Sequence, residues 1–250
     1  VHTATSHQPE TIVNLDESAK ADIPLLPLPK GVGPDQGVFA ALLGVALAAV
    51  HDAQIKVGDR VAVFGLGTIG LLVVQLARLN GALHITAVDP IEKRRGMAIR
   101  LGADQAIDPN AQDPAVILKV DQLRPPDVVI EASGTYPALQ SALRTAPMAG
   151  RVVTLGYYQG GASAVYLGEE WHHNRLNLVS SMGVWNCPSR YHPMWDRPRV
   201  SRTVMELLAK GKVRVEELIT QTFPYERAPE AYRFIDEHPA ETIKAVLSYD

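Results

Sequence analysis

The sequence predicts an α/β fold built on a six-stranded parallel sheet, and three observations carry that expectation. Between Arg60 and about Gly183, short apolar runs alternate with stretches of helical periodicity, which is the rhythm of βαβ units. The glycine-spaced turn Gly65-Leu66-Gly67-Thr68-Ile69-Gly70 stands between the first apolar run and the helical stretch after it. At 250 residues and 46% hydrophobic, the chain can bury a full core, divided over two unequal lobes.

The first forty residues hold short polar and β-like stretches, then the run Ile23-Pro24-Leu25-Leu26-Pro27-Leu28-Pro29 and a polar turn over 31–37. Residues 39–50 are rich in Ala, Leu and Val with no breaker but Gly44, so a buried helix is expected there. Lys56-Val57-Gly58-Asp59 turns the chain into a first strand, Arg60–Phe64. A helix over 68–80 carries Ile69, Leu72, Val73 and Leu76 on one stripe and closes at Asn80-Gly81. Strands over 85–88 and 105–107 enclose a helix over 91–101 that Gly102 stops. A helix over 115–123 ends at Arg124-Pro125-Pro126 and leads into a fourth strand, Val128–Glu131. A helix over 136–146, a fifth strand over 151–155, the glycine-rich loop 156–161 and a sixth strand over 178–181 complete the alternation. Residues 186–200 form a loop rich in Pro, Arg and aromatics. Helices over 201–210 and 230–237 and a strand over 243–247 follow, outside the βαβ rhythm. They are expected in a second lobe together with the N-terminal segment.

Composition excludes several function classes. Lys and Arg number 24 against 27 Asp and Glu, a net of −3, which leaves no basic footprint for nucleic acid or an anionic membrane. No apolar run is expected to reach the about 18 residues that a membrane span needs. The opening Val1-His2-Thr3-Ala4-Thr5-Ser6-His7 has neither the basic nor the apolar region of a signal peptide. Cys187 is the single cysteine, so no intramolecular disulfide forms, and a reducing, cytoplasmic setting is expected.

The glycine turn carries the chemistry. In a Rossmann-type strand–turn–helix, the first glycine makes the tight turn. The second lets the backbone approach a pyrophosphate, and the third lets helix and strand pack closely. The helix N-terminus then offers N–H groups and the positive dipole end to the phosphates. An acid about 20 residues on completes the fingerprint, and Asp89 occupies that place at the end of the second strand. Its carboxylate would accept from the adenosine ribose hydroxyls and repel a 2′-phosphate, which favours NAD(H) over NADP(H). The alternative for Asp89 is a strand-end turn residue before Pro90. Arg94, one helical turn on, reaches the ribose or is a solvated helix charge. Lys93 and Arg95 beside it would tolerate a 2′-phosphate. Gly65, Leu66, Gly67, Thr68, Ile69, Gly70, Asp89, Pro90 and Arg94 are the candidate cofactor contacts on this side.

Longer stretches resemble the medium-chain dehydrogenase/reductase superfamily of alcohol and polyol dehydrogenases. They are the run from Lys56 through Gly70, then Leu101-Gly102-Ala103-Asp104, Glu131-Ala132-Ser133-Gly134 and Gly150-Arg151-Val152-Val153-Thr154-Leu155-Gly156. Phe223-Pro224-Tyr225, Ala231-Tyr232 and Lys244-Ala245-Val246-Leu247 extend the likeness to the end. The resemblance implies a six-stranded parallel Rossmann sheet over 50–183. Residues 1–49 would be the tail of a GroES-like catalytic domain, and 184–250 the return into it. It further implies that Leu155, Gly156 and Tyr157 line the nicotinamide site, that Ser133 lies along the cofactor, and that two copies join through their sixth strands. The implied reaction moves a hydride between NAD(H) and a secondary alcohol, polyol or sugar, or the matching ketone. A zinc-independent NADPH enoyl or quinone reductase and a non-catalytic NAD-binding module are the alternatives. The family's zinc-binding Cys, its Gly-His-Glu motif and its four-cysteine lobe have no counterpart in this chain. The place of a further ligand falls at about Ala40, so no metal ligand and no catalytic residue is assigned.

Other side chains leave their roles open. His172-His173 are adjacent and point apart, which suits an interface better than one shared ion. His51 suits a helix C-terminus or a proton relay. Tyr157 and Tyr158 follow the fifth strand, as proton donors to a carbonyl or as pocket walls. Cys187 lacks a partner for a metal motif, and Trp185, Tyr191, Trp195 and their neighbouring arginines are a substrate surface, a subunit surface or a packed loop.

Overall fold

The computed structural model describes residues 27–121, 124–182 and 194–249, with 7, 12, 14 and 16. Two compact units divide the chain, one of Val1–Gly44 with Trp195–Asp250 and the other of Val45–Met194.

A short helix, Pro34–Gly37 (α1), stands where a polar turn was expected. Proline at its first position supplies a helical φ, and the Gln36 side chain accepts from the Gly33 N–H at 3.0 Å, which satisfies one loose donor. Ala40–Ala53 (α2) follows, running three residues past the end that its apolar run suggested. Together Pro34–Ala53 reach 20 residues at a mean hydropathy of 1.5, long and apolar enough to cross a membrane. The expectation that no such segment exists is thereby corrected. Phe39, Leu43, Ala46, Ala49 and Ala53 are fully buried, and a core helix acquires the same composition for that reason.

In the larger unit, Arg60–Phe64 (β1), His84–Val88 (β2), Gln105–Ile107 (β3), Val128–Glu131 (β4), Arg151–Thr154 (β5) and Asn177–Ser180 (β6) form one sheet. All neighbours are parallel, in the order β3-β2-β1-β4-β5-β6. β1 and β4 are apolar on both faces because helices cover both sides of the sheet. Thr68–Leu79 (α3) packs on β1 and β2, Glu92–Arg100 (α4) on β2 and β3, and Tyr136–Thr145 (α5) on β4 and β5. Ala62 and Phe64 of β1, Val129 of β4 and Val152 of β5 share a core with Leu139, Ala142 and Leu143 of α5. Asn80 caps α3 and Gly81 turns away at φ +110°, as the Asn-Gly pair suggested.

Two elements differ from expectation here. Val116–Asp121 is π-helical rather than α-helical, and the Asp113 carboxylate accepts from the Ala115 N–H at 2.9 Å just before it. Glu170–His173 (α6) is a single helical turn in a stretch to which no element was assigned from sequence.

The smaller unit contains Arg197–Ala209 (α7), Ile219–Pro224 (β7), Ala228–Glu237 (α8) and Lys244–Ser248 (β8). α7 begins four residues earlier than its apolar pattern, because the Asp196 carboxylate accepts from the Arg199 N–H at 2.8 Å. β7 and β8 pair in parallel, and β7 was not expected from sequence.

At the amino end of the large sheet, Asp104 accepts from the Ile85 N–H at 2.7 Å and from Arg78, whose guanidinium also donates to the carbonyls of Ala82, Leu83 and Gly102. Partial burial alone would raise the Asp104 pKa; the bonds from Ile85 and Arg78 outweigh it and hold the carboxyl below its ordinary range. A depressed folded pKa gives stability that is present above the unfolded value and lost as pH falls through the folded one. Burial, with Arg60 next, lowers the His84 pKa as well, so protonating His84 also costs stability on the acid side of its ordinary range. Asp104→Ala is expected to lose about 1–2 kcal/mol at pH 7 and to flatten the acid limb of a pH–stability curve below about pH 4. Urea melts at stepped pH check both effects.

Candidate functional site: a cleft at the switch point of the sheet

Strand order reverses between β1 and β4, where connections leave for opposite faces and a crevice opens beyond the carboxyl ends. The glycine turn sits there. Gly65 adopts φ +84° and donates its N–H to the Val88 carbonyl at 2.8 Å. A Cβ on Gly65 would stand 2.6 Å from the Ser133 nitrogen. A Cβ on Gly70 would fall onto the Gly65 carbonyl oxygen, so α3 rests flush against the turn. Gly67 is the N-cap of α3; no side chain caps that helix, and the place of a Gly67 Cβ is open space. Backbone thus faces the cleft where an anion would dock.

Asp89 follows β2 and is 3% exposed. Its Oδ2 accepts from the Leu66 N–H at 2.7 Å and its Oδ1 from the Ile91 N–H at 2.8 Å. Those bonds fix the carboxylate at the mouth of the turn and leave acceptor capacity on both oxygens. Arg94 stands 4.0 Å from Asp89 Oδ2 and is largely buried, so it is not a solvated helix charge. Arg95 is engaged elsewhere, donating to the Asp89 carbonyl at 2.8 Å and lying 3.2 Å from Asp108.

A cleft of about 700 Å³ opens over these residues. Gly65, Gly67, Asp89, Pro90, Arg94 and Ser133 line it, so six of the sequence candidates meet there. Leu66 lies fully buried beneath, contributing its N–H to Asp89. Thr68, Ile69 and Gly70 form the first turn of α3. Leu155, Gly156 and Tyr157 follow β5 and are not among the residues lining this cleft. Tyr157 is 84% exposed. His51 also lies outside the lining, in the last turn of α2.

Sequence reasoning missed four contributors. Asp113 and Arg144, paired at 2.8 Å, line the cleft with Thr135. Glu131 ends β4 and is 0% exposed. It accepts from the Ser133 N–H at 2.7 Å, the Gly134 N–H at 3.2 Å, the Ser133 hydroxyl and the Tyr158 hydroxyl. A charged residue closing an apolar strand was the available signal. Burial first, and the Glu131 carboxylate next, push the Tyr158 pKa up, so its phenol is a tied donor rather than a ready source of protons. His172 and His173 lie in α6 with their rings edge to face at 5.4 Å. Trp195 lies under the Arg199 guanidinium, 4.0 Å from ring centroid to carbon. Cys187, Trp185 and Tyr191 lie outside the described residues.

The profile of the family described as zinc-binding dehydrogenase matches residues 68–197. The chain belongs to the zinc-binding dehydrogenase family. D-guloside 3-dehydrogenase of Escherichia coli K12 is 36% identical over 206 residues, which cover 82% of this chain and 59% of that protein. L-threonine 3-dehydrogenase of Pyrococcus furiosus is 29% identical over 209 residues, covering 83% and 56%. A zinc-binding dehydrogenase from Sinorhizobium meliloti 1021, solved with NADP bound, superposes with a TM-score of 0.75 at 28% identity, over 89% of this chain and 62% of that one. The chain therefore spans about three-fifths of the length of these relatives.

The family name implies zinc. Among the described residues, no three of His, Cys, Asp and Glu come together to hold a metal ion. These side chains do not fit that ion. A dinucleotide fits: the uncapped helix N-terminus, the open side of Gly67 and the fixed Asp89 carboxylate border one cleft.

Proposed function

We propose that the chain is the NAD(H)-binding part of a dehydrogenase that moves a hydride between the cofactor and a secondary alcohol, polyol or sugar, or the matching ketone. The fixed Asp89 carboxylate carries this reading, because it stands at the cleft wall beside Gly65 and Gly67 with acceptor capacity to spare. Ribose hydroxyls would donate to it, and the pyrophosphate would lie over Gly67 against the N-terminus of α3. The nicotinamide supplies or takes the hydride. Leu155, Gly156 and Tyr157 would face that ring, and Ser133 would lie along the dinucleotide. The activity reading draws support from the names of the relatives, which are dehydrogenases of sugars, amino acids and polyols.

A second reading, NADP(H) use, has Arg94 beside Asp89 and the NADP-bound relative in its favour. Against it stand the buried negative charge at the ribose end and the engagement of Arg95. In the protein of full length, NAD⁺ reduction is expected with a polyol or sugar in a panel of secondary alcohols. No turnover across the panel with either cofactor sinks the dehydrogenase reading.

Residues 1–49 and 184–250 would belong to a GroES-like catalytic domain, with 50–183 holding the cofactor. A cytoplasmic setting goes with a single cysteine. β6 stands last in the strand order of the sheet among the described residues and carries the half-exposed Leu178, which supports the reading that two copies pair edge to edge. Leu178→Lys is then expected to shift a dimer to monomer in sedimentation velocity. A wild-type monomer at all concentrations would contradict the pairing.

A further inference from the structure

Three turns at the carboxyl ends of β1, β4 and β5 touch backbone to backbone. A Cβ on Gly65 would strike the Ser133 backbone, and one on Gly156 would strike the Gly134 backbone. Gly134 adopts φ +72°, and its own Cβ would stand 3.0 Å from the Tyr157 carbonyl oxygen. Each contact is possible only because no side chain intervenes. Glycine also confers freedom to move, so something else must hold the turns in register.

The buried Glu131 carboxylate is placed to do so. Its Oε1 takes the N–H and the hydroxyl of Ser133; its Oε2 takes the Gly134 N–H and the Tyr158 hydroxyl. Four donors, from both the β4 turn and the β5 loop, meet about four lone-pair sites. Ser133 Oγ in turn accepts from the Thr135 N–H at 3.1 Å and lies 3.1 Å from Thr135 Oγ1. Thr135 lines the cleft, so the chain of bonds runs from cleft wall to β5 loop. The Tyr158 ring lies tilted against that of Tyr136, 5.4 Å between centroids, and the Tyr136 hydroxyl donates to the Gly160 carbonyl at 2.8 Å, so the same loop is pinned at a second point.

We propose that Glu131 is a positioning residue: it locks the turn after β4 to the loop after β5, so that the nicotinamide half of the dinucleotide meets a preset surface at Leu155–Gly156–Tyr157. The proposal rests on the cofactor reading above. Glu131 touches neither the cleft nor its occupant; it acts through Ser133 on one side and Tyr158 on the other.

Tyr158→Phe tests it, because the substitution keeps the ring and removes one donor. Dissociation constants for NADH and for ADP-ribose, which lacks the nicotinamide, are measured on the whole chain, with amide exchange over 156–161 followed without nucleotide. NADH is expected to weaken about tenfold while ADP-ribose changes less than about twofold, and exchange over 156–161 to accelerate. Glu131→Gln, which also disturbs Ser133, is expected to weaken both ligands, NADH the more. Tyr158→Phe moving both ligands equally, or neither, overturns the proposal while leaving the cofactor reading intact. Failure of the wild-type chain to bind either ligand overturns both.

Discussion

Asp89→Ala is expected to weaken NADH binding by about a hundredfold, the equivalent of losing about 2–3 kcal/mol of charge-assisted hydrogen bonding. Two effects add. On the proposed reading the ribose hydroxyls would lose their acceptor, and the Leu66 and Ile91 N–H groups lose the oxygens that now hold the turn and the start of α4 in place. Orphaning the Leu66 N–H, which is buried, also costs the fold about 1–3 kcal/mol. Asp89→Asn separates charge from shape, since one amide oxygen still accepts. It should lower NADH affinity less and raise the NADPH-to-NADH affinity ratio about tenfold, because the repulsion of a 2′-phosphate is gone. Calorimetric titration with both nucleotides reads both effects. An unchanged ratio in Asp89→Asn would mean that this carboxylate does not face the ribose.

Gly70→Ala is expected to be the most damaging single methyl in the large unit. The added carbon lands on the Gly65 carbonyl oxygen, a backbone atom held by the turn on one side and Ser133 on the other. Helix α3 must lift from the strand, at about 3 kcal/mol. For a chain of this size that corresponds to a fall of about 10 °C in Tm. Gly67→Ala is the control. Its φ is −68°, and a Cβ there meets nothing, so Tm should hold. NADH should nonetheless bind more weakly, because the methyl occupies the space over which the pyrophosphate would lie. Equal losses of Tm in the two variants would contradict the geometry assigned to the turn.

The sheet was legible in the sequence because its inner strands are buried on both faces. Arg60–Phe64 and Val128–Glu131 read as apolar runs for that reason, and their bounds match. β7, Ile219–Pro224, sets Thr220, Gln221 and Thr222 in a row between Ile219 and Phe223 and is only half-buried, so no apolar run announced it. The early start of α7 depends on the Asp196 cap, a weaker sequence signal than periodicity, and the apolar spacing over 116–121 did not distinguish a π-helix from an α-helix. At the site, residues near in sequence were found and residues brought near by the fold were not. The glycine turn and Asp89 follow a spacing rule that reflects one βαβ unit. The Glu131–Tyr158 bond joins two strands' ends across 27 positions, and the Asp113–Arg144 pair joins a loop to a helix. No local pattern encodes either.

The most direct test of the central claim is a fluorescence titration of the chain with NADH and with NADPH. Saturable NADH binding, at least about tenfold tighter than NADPH, is the expected result. No binding of either nucleotide, or preference for NADPH, would contradict it.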